Sequence, residues 1–436
     1  MLSQTLTGDN IDSRPLSSTD AKTQNTRQTS ATSKRRIDKN IWGIYCGLIF
    51  FSLIELYSAS SREVTEGHIL TPLIRHAVLL GAGCLIMLGL QRVNYLRFYR
   101  LSWPIVIVSV LAAIYTMFFG EVINGARRSF SVFGLFSMQS SELLKFSCAI
   151  LIARVLSKRY VNERGRRCIR TRDIYFVSIV VLIFGGMMIN QGLTNTLLLV
   201  VIALSMMLVA GVRASKFFTI VGVFVALGLM YYGYSKLRSS YLEANQTNTE
   251  NIDRSTTRDN RIDDFFAPEK YKQPITSRNQ QAQYSFIAQA NGGLFGVGPG
   301  GSRETARLPL AFSDYIYAIV IEDLGFVGGL VVMTLYLLLL ARAGRIASQC
   351  QRAFPALLVI GMAVFIVYQA LFHMAIVTGV FPVSGQPLPF ISKGGSSVII
   401  SSVALGIMLS VSRSAPRKND METADDKAIA DNLTQL

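Results

Sequence analysis

The chain has 436 residues, 50% of them apolar and only 16% charged, with a formal net charge of +16 and a mean hydropathy of +0.38. Soluble domains carry about 25% charged residues, whereas the charges here cluster in the first forty residues, in 158–173, in 236–307 and at the C-terminus. These numbers exclude a disordered chain, a collagen and a disulfide scaffold, and the apolar runs are too long for buried strands, so the predicted class is an all-α polytopic membrane protein.

A strongly basic balance suggests nucleic acid in a soluble protein. Beside long apolar runs it indicates basic cytoplasmic loops instead, and no nucleic-acid partner is expected. Cys46, Cys84, Cys148, Cys168 and Cys350 show no CxxC spacing and read as reduced packing residues. His68, His76 and His373 give no zinc pattern.

Residues 1–40, polar and ending in Lys34-Arg35-Arg36 and Lys39, read as a disordered cytoplasmic tail with a basic anchor. The run 41–60 ends in Ser58-Ala59-Ser60, a small-x-small pattern, but its length, Glu55 and the long preceding tail favour an uncleaved first span over a signal peptide. Further runs lie at about 73–90, 101–119, 142–157, 174–190, 193–211, 214–234, 314–341, 355–379 and 395–411. Each is near the ~20 residues that cross a bilayer, which gives about ten transmembrane helices. Arg92, Arg97, Arg100, the basic loop Lys158–Arg172, Arg213, Lys216, Arg342, Arg345, Arg352 and the tail 413–436 all share the parity of the N-terminus. The positive-inside rule therefore places both termini in the cytoplasm and 235–313, the long loop between spans seven and eight, outside.

Several stretches depart from a plain span-and-loop pattern. Arg127 and Arg128 stand in the short outer loop 120–141, against the positive-inside rule, either as an anchor to lipid headgroups or as a bidentate clamp for phosphate. Gln139-Ser140-Ser141-Glu142-Leu143-Leu144-Lys145 opens span four. Glu142 and Lys145 share a helix face there, as a structural ion pair or as the lining of a polar cavity. In 292–302, Gly296, Gly298 and Gly301 spell GxGxxG and Ser302 follows. No βαβ unit surrounds them, so tight turns and close backbone approach to a ligand are expected, not a dinucleotide site. Asp314 stands at the mouth of span eight, as a helix N-cap or as a general base. Glu322, eight residues on, falls on nearly the same stripe and about 12 Å deeper. The Pro/Gly-dense segment 381–397, with Gln386, Lys393 and Ser396, is either a surface loop or a re-entrant lining of a cavity.

Together these motifs resemble the SEDS family (shape, elongation, division and sporulation) over about 41–412. The carriers are Tyr57-Ser58-Ala59-Ser60, Asn124 to Arg128, Gln139 to Lys145, the glycine loop, Leu308-Pro309, Asp314 to Tyr317 with Glu322, Gly325 and Gly328, and Pro382 to Ser397. Where the family often has Trp, Gln-Pro-Ser-Glu and Pro-Asp-x-Gly-Thr, this chain has Ser129, Gln139-Ser140-Ser141-Glu142 and Gln191-Gly192-Leu193-Thr194-Asn195-Thr196. Ser384 and Lys393 replace the family's usual Thr and Tyr.

The resemblance implies a peptidoglycan glycosyltransferase that polymerises lipid II onto a lipid-linked nascent glycan strand at the outer face of the cytoplasmic membrane. Asp314 matches the catalytic aspartate. Arg127, Arg128, Gln139, Glu142, Lys145, Gly298, Ser302, Glu322, Lys393 and Ser396 are the implied substrate-binding residues. No cofactor is assigned, and a divalent cation, Mg or Mn, is the one for which the chemistry leaves room. The implied partners are a class B penicillin-binding protein and other membrane proteins of the division machinery. The polar N-tail and the 291–300 run look more like the family's division members than its elongation polymerases. A lipid II flippase and a non-catalytic scaffold are the rivals from other classes.

The topology carries its own test. In a variant without native cysteines, a cysteine introduced at residue 270 is expected to react with an impermeant maleimide added from outside, and one introduced at residue 165 only after the membrane is opened.

Overall fold

A computed structural model describes residues 38–60, 70–123, 126–132, 136–158, 160–161, 167–189, 191–244, 265–266, 271–272, 274–276, 279–308 and 311–415. Of the expected tail 1–40, residues 1–37 lie outside these while Lys39 and Asn40 already belong to the first helix; part of the loop 235–313 and residues 416–436 lie outside as well. The helices in chain order are α1 (Lys39–Ser60), α2 (Leu70–Leu90), α3 (Tyr95–Phe119), α4 (Ser140–Leu156), α5 (Thr171–Ile189), α6 (Leu193–Ala210), α7 (Ala214–Ala244), α8 (Gln280–Gly292), the short α9 (Ala311–Asp314), α10 (Ile316–Gln349), α11 (Ala353–Val377) and α12 (Gly395–Ser414). Each of the ten predicted runs falls on one of them. Eight are long and apolar enough to cross a membrane by length and composition, with Ile74–Leu90 of α2 a shorter apolar helix. At 17 residues α4 is short, and it carries Glu142, Lys145 and Arg154.

The all-α expectation holds for these helices and misses two small sheets. β1 (Glu121–Ile123), β2 (Ala126–Val132) and β3 (Phe136–Gln139) form an antiparallel sheet in that order. β4 (Tyr160–Val161) pairs with β5 (Arg167–Cys168). Asn124-Gly125 separates Ile123 from its partner Ala126 in the sequence. That dipeptide is a strong two-residue hairpin signal, because both central residues tolerate positive φ.

Burial ranks the helices. In the spanning windows of α11 and α12, 83% of residues are buried, against 6% for α7, so α11 and α12 are central and α7 peripheral. α11 packs on α10, α4, α12 and α6, and α12 packs on α2. Gly361 of α11 admits Met206 of α6, whose Cε would lie 2.7 Å from an added Cβ. Polar groups are matched between helices. Ser109 donates to Ser147 at 2.7 Å, and the Arg154 guanidinium, over the Tyr99 ring at 4.4 Å, donates to the Ser102 hydroxyl at 2.7 Å. Just before α1, Asp38 Oδ2 accepts from Arg342 Nε and Nη2 at 3.0 and 2.8 Å and from the Ser412 hydroxyl at 3.2 Å.

α10 is not continuous. Gly325 has φ 74° and ψ −179°, inside the helix. The glycine loop after α8 fills the break. Val297 and Gly298 N–H groups donate to the carbonyls of Glu322 and Asp323, both at 2.9 Å, while Phe326 N–H donates to Gly293 at 2.9 Å and Val327 N–H to Leu294 at 3.2 Å. The close approach expected of these glycines is therefore to the backbone of α10. A Cβ on Gly296 would lie 2.2 Å from the Asp323 carbonyl oxygen, and Gly296 has φ 80°.

Gly296→Ala is accordingly expected to cost at least about 1–2 kcal/mol, the price of left-handed backbone for an L-residue, before the clash is added. Gly222→Ala, in α7 with nothing within 4 Å of the new methyl, is the matched control and should not destabilise. Thermal unfolding of the two variants in one detergent checks the difference.

Candidate functional site

The described site residues fall into three groups, the first two joined by the 381–394 loop.

The first group surrounds Asp314. The residue ends the single turn α9, and α10 begins only at Ile316, after Tyr315 at φ −128° and ψ 16°. The N-cap position thus falls on Tyr315, one residue beyond Asp314. The break also means that the continuous stripe from Asp314 to Glu322, expected from an unbroken helix, does not run through this segment. Asp314 is half-buried, and the Ser313 hydroxyl donates to its Oδ1 at 2.9 Å. The 387–393 loop is stitched behind this turn. Ser392 Oγ donates to the Ser313 carbonyl at 2.7 Å and in turn accepts from Leu388 N–H at 2.7 Å, and Lys393 N–H donates to the Phe312 carbonyl at 2.8 Å. Lys393 is thereby tied to the Asp314 segment through its backbone. Its side chain lines a small cleft with Glu55, His76, Phe312, Ile316 and Ile391.

Two members of that cleft were not legible as site candidates. Glu55 of α1 is 1% exposed, and neither of its carboxylate oxygens has a hydrogen-bond partner among the described residues. His76 bonds Ser52 at 3.0 Å. A lone acid inside an apolar run is the one signal that marked Glu55 in the sequence.

The second group lies where α4, α6, α11 and α12 meet. Glu142 is 1% and Lys145 0% exposed. They form no ion pair within 4 Å, so the structural-pair reading gives way to separate partners. Lys145 Nζ donates to Asn195 Oδ1 at 3.0 Å, and Gln386 Nε2 donates to the same oxygen at 3.0 Å. Glu142 Oε1 accepts from Gln369 Nε2 at 3.2 Å, while Glu142 Oε2 has no partner among the described residues. Ser396 and Ser397, in the first turn of α12, stand beside the Glu142 carboxylate. Nearby, Ser140 and the Gln191 amide hydrogen-bond each other, at 3.3 and 3.0 Å. Asn195 was singled out by the sequence only as part of a departure, and its role becomes visible from its two cationic or amide donors.

The third group is the glycine loop with Ser302 and Glu322. Glu322 accepts from Arg303 N–H at 2.9 Å, from Glu304 N–H at 3.4 Å and from the Ser302 hydroxyl. Asp323 Oδ1 accepts from Ser302 N–H at 3.1 Å. Gly298, at φ 92°, donates to the Asp323 carbonyl. Ser302 and Glu322 are thus occupied with each other and Gly298 with Asp323, and these bonds hold the loop on α10.

Arg127 and Arg128 lie on β2, and their side chains are outside the described set. Gln139 ends β3, pairs with Ser129 and precedes α4. β3 packs against α12, which brings this sheet to the side of the Glu142 group. Among the described residues no group of three or more His, Cys, Asp or Glu side chains comes together to hold a metal ion.

A polytopic helical membrane protein with buried charged groups gathered by broken helices and a Pro/Gly loop is the class that this geometry defines. The family model described as "Cell cycle protein", for FtsW, RodA and SpoVE, matches residues 38–417, and the chain belongs to that family. It is 30% identical over 372 residues to a probable peptidoglycan glycosyltransferase FtsW of Trichlorobacter lovleyi, covering 84% of this chain and 90% of that one. It is 31% identical over 373 residues to stage V sporulation protein E of Bacillus subtilis, covering 84% and 94%. A chain from a peptidoglycan synthase complex, described for its coordination of polymerisation and crosslinking, superimposes with a TM-score of 0.65 at 25% identity, covering 86% of this chain and 98% of that one. The rod shape determining protein RodA of Thermus thermophilus shares the fold, with a TM-score of 0.60 at 24% identity over 87% of this chain and 97% of that one.

The Lys145–Asn195 bond generates a stability prediction. Asn195→Leu leaves a buried ammonium without its acceptor and should cost about 1–3 kcal/mol or more. Adding Lys145→Met should restore part of that loss, because the stranded charge is removed. A double-mutant cycle on thermal unfolding in detergent measures the coupling.

Proposed function

We propose that this chain is a peptidoglycan glycosyltransferase that polymerises lipid II into glycan strands, with Asp314 as the general base. One observation carries the assignment of the base: Asp314 sits half-buried on its own turn, held from behind by the 387–393 loop and outside the regular hydrogen bonding of α10. A carboxylate fixed at a water-accessible boundary can take a proton without moving.

In the reaction the acceptor sugar hydroxyl gives its proton to the Asp314 carboxylate. Its oxygen attacks the donor anomeric carbon from the face opposite the leaving group, forming the new glycosidic bond with inversion. The bond to the diphosphate breaks, and the lipid diphosphate departs with the electron pair. Arg127 and Arg128, on β2, are proposed to meet its charge, an electrostatic contribution that commonly dominates such steps. Glu142, Lys145, Gln139 and Ser396 are proposed to orient the substrates' polar groups. Gly298, Ser302 and Glu322 then serve by holding the glycine loop on α10, the helix that follows Asp314. A divalent cation, Mg or Mn, would offset charge on the departing diphosphate; no step above depends on it.

The setting follows from the same reading. Septal synthesis on the outer face of the cytoplasmic membrane, both termini in the cytoplasm, and a class B penicillin-binding protein as partner are proposed here. The basic loops that share the parity of the N-terminus support the orientation, the named FtsW relatives support the division setting, and the polymerising and crosslinking complex supports the partner.

Asp314→Asn separates a base from a merely structural residue. Asn keeps a side-chain oxygen that can accept from the Ser313 hydroxyl, but its amide accepts no proton at working pH. The variant is expected to fold and insert normally and to lose polymerisation of labelled lipid II by about 10²-fold or more. Near wild-type turnover would move the base elsewhere, and an inactive wild type in the presence of its transpeptidase would favour a flippase or scaffold.

The arginine pair is tested at subsaturating lipid II. Arg127→Ala with Arg128→Ala should lower turnover there by about 10-fold or more, the worth of one lost charge-assisted contact, with membrane insertion intact. Unchanged turnover would mark the pair as a headgroup anchor.

A further inference from the structure

His373 of α11 is 1% exposed, and both of its ring nitrogens are engaged with backbone from other segments. Nδ1 lies 2.6 Å from the Gln386 carbonyl oxygen, and Nε2 lies 3.4 Å from the Tyr317 amide nitrogen. A carbonyl only accepts, so Nδ1 carries the ring proton. An amide N–H only donates, so Nε2 is the bare nitrogen. The two contacts together fix one neutral tautomer.

The Tyr317 N–H belongs to the first turn of α10, where helix N–H groups have no partner within the helix. The N-cap residue Tyr315 supplies no side-chain cap bond. An imidazole from the neighbouring helix therefore satisfies this amide, three residues after Asp314. On its other side, His373 grips the loop that is stitched to the Asp314 turn. The same Gln386 whose carbonyl it holds donates its side-chain amide to Asn195, the acceptor for Lys145. His373 thus bonds both the start of α10 and the Gln386 corner.

We propose that His373 is a positioning residue for Asp314: its imidazole caps α10 from outside and fixes the angle at which the Asp314 turn leaves that helix. The inference rests on the reading of Asp314 as the base. A displacement of a reacting group by about 1 Å costs about 10²-fold in rate, so losing the cap should appear in turnover and not in substrate binding.

Two substitutions divide the two bonds. In His373→Gln the terminal amide reaches the depth of Nε2, where its oxygen can accept from Tyr317 N–H. In His373→Asn the terminal amide reaches only the depth of Nδ1, so it can serve the Gln386 carbonyl but not Tyr317. Polymerisation of labelled lipid II by the full-length protein with its transpeptidase is measured for both, with Asp314→Asn alongside and thermal unfolding as a control. The expected result is a kcat at least about 10-fold lower for His373→Asn, an unchanged KM for lipid II, and a kcat within about 3-fold of wild type for His373→Gln. Equal kcat values for the two variants, or a loss that follows unfolding temperature in both, would overturn the positioning role. If Asp314→Asn is inactive while His373→Asn polymerises normally, the positioning role fails and the base assignment stands. If Asp314→Asn polymerises normally, both fall.

Discussion

A helix interrupted inside a membrane leaves N–H and C=O groups that lipid cannot satisfy. α10 is interrupted at Gly325, and the 293–298 segment supplies the missing partners from outside the helix. That exchange sets a demand on sequence at both strands of the contact. Glycine is required at 296 and 325, where an added Cβ would meet opposing backbone at 2.2 Å. Glu322 and Asp323, just before the break, receive the next stretch of the loop through Ser302, Arg303 and Glu304. The loop is consequently anchored to the same helix whose first turn follows Asp314. Two acids buried at 0% exposure are expensive in an apolar setting unless hydrogen-bonded, and here their bonds are spent on holding loop to helix.

The Glu142–Lys145 region answers the same constraint differently. Spacing along one helix face suggested that the two charges would satisfy each other. Instead each is served by a neutral amide from another helix: Gln369 for Glu142 and Asn195 for Lys145. Asn195 then accepts Gln386 as well, so a single oxygen gathers α4, α6 and the 381–394 loop. A neutral acceptor orients the ammonium without cancelling it.

The ten helices were legible because hydropathy over about 20 residues is a local property that lipid enforces. Their ends were less so: α7 runs on to Ala244 and α10 to Gln349, past the apolar runs that announced them. The β1–β2 hairpin was written in Asn124-Gly125, a signal that a helical reading of the chain passes over. The motif residues were visible as departures from the span pattern, since a charge or glycine in an apolar context is conspicuous. Their partners were not. Asn195 is 50 residues from Lys145 and 191 from Gln386, and His373 is 56 from Tyr317. No periodicity within one helix encodes a bond between two. For that reason the sequence places Glu322 on Asp314's stripe, and only the break at Tyr315 shows that the stripe is not continuous.

The 387–393 loop is where these contacts converge. Phe390 has φ 70°, the single positive φ at a non-glycine among the described residues, and it is fully buried against Tyr45 with ring centroids 5.5 Å apart. A backbone of that kind costs about 1–3 kcal/mol and persists only where its surroundings over-determine it. Here Tyr336 donates to the Pro389 carbonyl, Leu388 N–H is held by Ser392, and Ser392 reaches on to Ser313. The turn therefore cannot relax without releasing the segment that ends in Asp314. A base that must meet a hydroxyl within hydrogen-bond reach gains from being placed before the substrate arrives. The Asp314 turn is thus tied to the 387–393 loop through Ser313 and Phe312, and the helix that follows it is tied to His373 and to the glycine loop, so the segment that carries the base is held by contacts from several elements.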